Sequence, residues 1–220
     1  MPVTATQLTS DASETDANSY ATTSISPTAD SLILAAVGST LGTGGPNTPT
    51  ASGASMTWVQ VATVAISTTG RITVFRTLNS SPGSGAITFD FGGETQDRGL
   101  WTIAEFSGVV TTGSDGADAV VQSATDTATA TSLTVTLSAF SNSGNATYGA
   151  LFNNSATAIT PGSGFSELSE TQQSQTVQAE WKNTNDTTVD WSWSGSLDAG
   201  GIAIEISSPV NAAFLFNLAL

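Results

Sequence analysis

Cysteine and histidine are both absent from this chain. Without cysteine there is no disulfide framework and no thiolate metal site. Without histidine the commonest general base is missing, and a Ser–His–Asp triad cannot form. Basic residues are almost as scarce: Arg71, Arg76, Arg98 and Lys182 face 18 acidic residues, for a net charge of −14. Phosphate backbones and anionic membrane surfaces repel such a chain, so neither nucleic acid nor a membrane is an expected partner. No run approaches the ~18 apolar residues that span a bilayer. Met1-Pro-Val-Thr-Ala-Thr carries neither the basic nor the apolar region of an export signal. Charged residues of both signs reach only 10%, so the wet strand faces are expected to be Thr and Ser. Helical stripes are missing as well: no window of helical length pairs an i, i+3, i+4 apolar pattern with caps.

Present instead are short alternating runs. Ile87, Phe89 and Phe91 alternate, as do Leu133, Val135 and Leu137, Val189, Trp191 and Trp193, and Ile202, Ile204 and Ile206. Each reads as a strand with one dry face. The stretch 31–40 is almost continuously apolar and reads as a strand buried on both faces.

These runs recur in order. The stretch 100–110 (LWTIAEFSGVV) is echoed at 201–210 (GIAIEISSPV), with Glu105 falling on Glu205 and Phe106 on Ile206. Upstream, 87–91 (ITFDF) answers 189–193 (VDWSW), and 71–78 (RITVFRTL) answers 174–181 (SQTVQAEW). Further back, 53–59 answers 162–168, and 32–37 (LILAAV) answers 147–152 (TYGALF). The separation between partners shrinks steadily toward the C-terminus, as loop shortening in a second copy would give. Two copies of a six-strand unit are therefore expected. The chain divides into an N-terminal arm (1–19), which also reads as a weak edge strand, a first pseudo-repeat (20–110), a connector (111–131) with room for a short strand at 119–123, a second pseudo-repeat (132–210) and an apolar end (211–220).

About twelve strands joined by Gly-, Pro- and Thr-rich turns imply an all-β, antiparallel, jelly-roll-like sandwich. Two layouts fit: tandem six-strand sandwiches, or copies interleaved as halves of one jelly roll. The interleaved layout is favoured, because each copy is under ~90 residues and poor in large core side chains.

Candidate chemistry is thin, and no catalytic residue is assigned. Glu105 and Glu205 are the evident carboxylate pair for glycoside hydrolysis, but a repeated position explains both. A Ser–Lys dyad would have to use Lys182, which stands in the turn-like WKNTND. Asp115-Gly-Ala-Asp118 is a fragment of a calcium loop without its further ligands, and Gly42–Gly45 lacks the Lys of a phosphate cradle. No metal or other cofactor is expected. Trp181, Trp191 and Trp193 could form a sugar platform, yet Trp191 and Trp193 share the parity of Val189, which points them into the core. At the C-terminal end Phe214, Phe216, Leu218 and Leu220 share one parity, and Leu215 takes the other. That pattern predicts a final strand with one dry face, part of it at a subunit contact.

The series SLILAAVGS, GASMTWVQVATV, GRITVFRTL, GAITFDFGG and LWTIAEFSGV, followed by its weaker copy, resembles a duplicated jelly-roll-like module of bacteriophage and environmental-virus structural proteins. The resemblance covers residues 18–210 and has no active-site motif. It implies a non-enzymatic virion surface component, a capsid decoration or minor capsid protein ahead of a tail-associated one. Expected partners are further copies of the chain and the major capsid or other virion proteins. The rival is a carbohydrate-binding adhesion module of a tail fibre or cell surface, taking a surface glycan. A glycan hydrolase is the weakest reading. Exposure of Trp58, Trp101, Trp181, Trp191 and Trp193 separates the first two, since a coplanar exposed pair would favour sugar.

Overall fold

A computed structural model describes residues 2–209. The described chain is all-β apart from one 3-10 turn at Ser114–Gly116. The first half contains β1 (Thr4–Ser13), β2 (Ser19–Ala21), β3 (Leu32–Thr40), β4 (Thr50–Gly53), β5 (Val59–Ile66), β6 (Gly70–Leu78), β7 (Ile87–Asp90) and β8 (Arg98–Ser107). The second contains β9 (Val120–Thr136), β10 (Ala146–Asn153), β11 (Ile159–Pro161), β12 (Ser166–Gln172), β13 (Thr176–Lys182) and β14 (Thr188–Ile206). The segment expected to be an arm or a weak edge strand supplies β1, an edge strand, and most of the expected connector lies in β9. Strand β1 and the 124–131 part of β9 are edge segments of small Thr, Ser and Ala residues, without the apolar alternation by which strands are recognised.

All pairing is antiparallel. A five-stranded sheet runs β1-β8-β3-β6-β5 beside a small sheet β2-β7-β4. In the second half the order is β9-β14-β10-β13-β12, and β11 pairs with the early part of β14. There β9 and β14 are long enough to serve both sheets: 120–130 of β9 pairs with 197–206 of β14, and 132–136 with 188–192. Gly195, at positive φ, bends β14 between its two parts. The first half breaks the same path into β1 and β2, and into β7 and β8.

Register carries the likeness to single residues. Glu105 stands opposite Thr6 and Ile33, and Glu205 opposite Gln122 and Thr147. Strand β5 bulges at Val61, between Gln60 and Ala62. Strand β12 bulges at Leu168, between Glu167 and Ser169. Pairing also corrects three sequence matches, one of them 53–59 with 162–168, since Val59 shares its place with Ser166 and not Leu168. Leu32 shares its place with Ala146, not Thr147, and Arg71 shares its place with Thr176, not Ser174. The slip between β3 and β10 arose because both are buried on both faces throughout, which removes the alternation that fixes register.

No described strand of one half pairs with a strand of the other, so the interleaved layout is not what forms. The halves meet face to face through their large sheets. Strand β1 lies against β12 and β8 against β13; the mirrored contacts are β5 against β9 and β6 against β14. The shared core between these sheets takes Leu32, Leu34, Leu100 and Phe106 from the first half and Tyr148, Phe152, Ile202 and Ile204 from the second. A separate outer core lies beneath each small sheet. The expectation of interleaving rested on too small a core in each copy; the shared face supplies the burial that a lone copy lacks.

At the centre of the shared core a side chain added to Gly38 would collide with the Phe152 ring. These two residues hold the same place in β3 and β10. Only glycine on one side allows phenylalanine on the other. Phe152→Ala should destabilise the protein by ~3–5 kcal/mol. Gly38→Ala should also destabilise it, and its penalty should largely disappear in the Phe152→Ala background. Denaturant unfolding of the four proteins checks this; additive penalties would contradict the contact.

Candidate functional site

The two ends of the seam between the halves differ, and the difference creates the described cavity. At one end Arg98 Nε donates to Glu14 Oε2 at 2.8 Å, and Ser174 of the other half donates to the same carboxylate through its N–H and its hydroxyl. Its bond from the Ser174 hydroxyl, aided by Arg98, holds the Glu14 carboxyl below its ordinary range. At the other end register puts Asp198 in the place of Arg98 and Thr129 in that of Glu14. Thr129 Oγ1 donates to Asp198 Oδ1 at 2.6 Å, and the seam stays open. A pocket of ≈ 320 Å³ lies there, lined by Ser67, Thr127, Thr129 and Asp198 over Ile66, Ala128 and Ala199. Sequence reasoning did not select this site. The signal was present: with Glu105 set on Glu205, the acid Asp198 falls on the base Arg98.

The carboxylates named from sequence are not brought together. On β8, Leu100, Ala104 and Phe106 face the shared core and Trp101 and Ile103 face the outer one, which turns Glu105 outward. On β14, Ile202, Ile204 and Ile206 face the shared core and Ala203 the outer one, which turns Glu205 away on the opposite side. Each instead holds the loop that precedes the central strand of its own half. Glu105 accepts from Thr28 N–H and hydroxyl. Glu205, fully buried, accepts from Asn145 Nδ2 and Gln122 Nε2, both at 2.5 Å.

Lys182 donates to Asp186 at 2.8 Å and lies over the Phe165 ring. Asp118 accepts from Thr112, and among the described residues no group of three or more acids gathers as metal ligands. Trp101, Trp191 and Trp193 are buried. Trp58 and Trp181 are half-buried and belong to different cores. No coplanar exposed tryptophan pair exists among the described residues. The predicted contact residues Phe214, Leu215, Phe216, Leu218 and Leu220 lie outside the described residues.

A carboxyl group is buried in the second half without full compensation. Glu180 sits where the first half has Phe75, inside the outer core of the second half, with no exposed surface. Its Oε2 accepts from Gly162 N–H at 3.1 Å, and its Oε1 has no partner among the described residues. Burial, with Asp190 and Glu167 nearby, pushes its pKa up to about 8. The same cause raises Glu170. No family profile matches this sequence, and no curated protein or solved structure matches it significantly.

A raised carboxyl pKa means that the folded state holds a proton which the unfolded state releases. Stability should therefore fall as pH rises from the ordinary glutamate range, about 4–5, through about 8. Glu180→Gln should match the parent at pH 5 and exceed it at pH 8.5 by a few kcal/mol, since each tenfold change in proton affinity is worth about 1.4 kcal/mol. Urea unfolding at the two pH values measures the difference. An equal difference at both would place the proton elsewhere.

Proposed function

We propose that the chain is a non-enzymatic structural protein of a virus particle, a capsid decoration or minor capsid protein on the surface of a bacteriophage head. The observation that carries this reading is the strand order. In each half, first and last strands lie side by side in the large sheet, and the path alternates between that sheet and the small one except at β5–β6 and β12–β13, which stay in the large sheet. That order supports a jelly-roll assignment for each half, with β5 and β12 moved to the edge of the large sheet. Fold alone does not assign a role. The reading also draws on the charge-poor, Thr- and Ser-rich composition and on two modules bound face to face. Its mechanism is burial of surface between copies and onto the shell. The apolar end carrying Phe214, Leu215, Phe216, Leu218 and Leu220 is proposed as part of that contact. A glycan-binding adhesion module is the second candidate; the half-buried, separated Trp58 and Trp181 give it no aromatic platform.

An antiserum against the folded chain tests the proposal on fractionated source culture. Gold label is expected on the outside of intact particles. Label confined to cells or to the soluble fraction would contradict it.

A further inference from the structure

We infer that the seam pocket is a docking site for an arginine or lysine side chain of a basic partner protein. The molecule contains its own comparison. At the closed end of the seam the corresponding ground is held by a guanidinium, that of Arg98, clasped by Glu14 and backed by Ser174. At the open end the base is replaced by an acid and the acid by a hydroxyl. A carboxylate and three hydroxyl-bearing side chains are left around a recess whose lining is mainly polar. Asp198 Oδ1 is engaged by Thr129, which orients the carboxylate and leaves Oδ2 to receive a donor. The volume lies at the lower end of ligand-sized pockets, ~300–1,000 Å³.

Charge identifies the source of the cation. The chain carries −14 with four bases, and three of these are engaged within the chain. Arg71 donates to Pro46 O and Thr63, Arg98 to Glu14, and Lys182 to Asp186. Arg76 has its Nε buried. Among the described residues a second copy of this chain thus has only the partly buried Arg76 without a partner, and the acidic surface attracts a basic partner at long range. The inference holds whether or not the chain belongs to a virus particle.

The test is a titration of the isotope-labelled full chain, followed by amide NMR, with the blocked tripeptide acetyl-Gly-Arg-Gly-amide. Its citrulline counterpart keeps the shape and removes the charge. Saturable shifts are expected at Ser67, Thr127, Thr129 and Asp198, at least tenfold weaker with citrulline and absent in Asp198→Asn. The double variant Thr129→Glu with Asp198→Arg, which installs the closed end's pair, should also abolish binding while the fold is retained. Shifts spread evenly over exposed acids such as Asp11 and Asp126 would overturn the inference. So would equal response to citrulline, persistence in Asp198→Asn, or saturation by a neutral hexose in place of the arginine peptide.

Discussion

The structure depends on the contact of two five-stranded sheets across a single shared core. Each sheet already has one dry face turned to its own small sheet. The other face is equally apolar and would be exposed in an isolated half. An exposed apolar sheet of that size is an aggregation surface, and the partner half removes it. Because β1 meets β12 as β5 meets β9, with β3 and β10 at the centre, the halves are arranged as a two-fold pair is. Such a pair brings the same place of each half together at its axis. Identical residues there would leave a gap or a clash. Gly38 and Phe152 resolve this by being unlike, which requires two linked, divergent copies rather than a dimer of identical ones.

Divergence also reached the outer layers. In the first half the indole of Trp101 rises from the large sheet. In the second its place is Gly201, and Trp191 enters from the β9–β11 side, where an added side chain on Gly149 or Gly201 would meet it at 2.5 and 2.9 Å. The swap keeps the volume of the core while moving its source. Phe75 and Glu180 are a less conservative exchange. A ring in one core becomes a carboxyl in the other, held by one backbone N–H. The same process opened one end of the seam, by placing Asp198 where Arg98 stands.

Much of the fold was legible in the sequence, for identifiable reasons. Alternation located β7, the early part of β14 and its late part, because each has one dry and one wet or sheltered face. The repeated Glu was recognised, and the strand pairing explains it as a staple on the loop before each central strand. The two continuously buried strands gave no register, so they were matched one residue out. Small-residue edges gave no apolar signal, so β1 was read as an arm or a weak edge strand and the middle of β9, 124–131, was not read as a strand. The layout was misjudged because burial was reckoned within each copy, whereas the largest core belongs to both. The candidate site was legible only as a reversal of charge at matched positions, and it needed the strand register to become a place.

The dependence of each half on the other is tested most directly by calorimetry of the full chain. Unfolding is expected as one cooperative transition in which calorimetric and van't Hoff enthalpies agree, since neither half can lose its large sheet without exposing that of its partner. Two resolved transitions, or a van't Hoff enthalpy near half the calorimetric value, would contradict it.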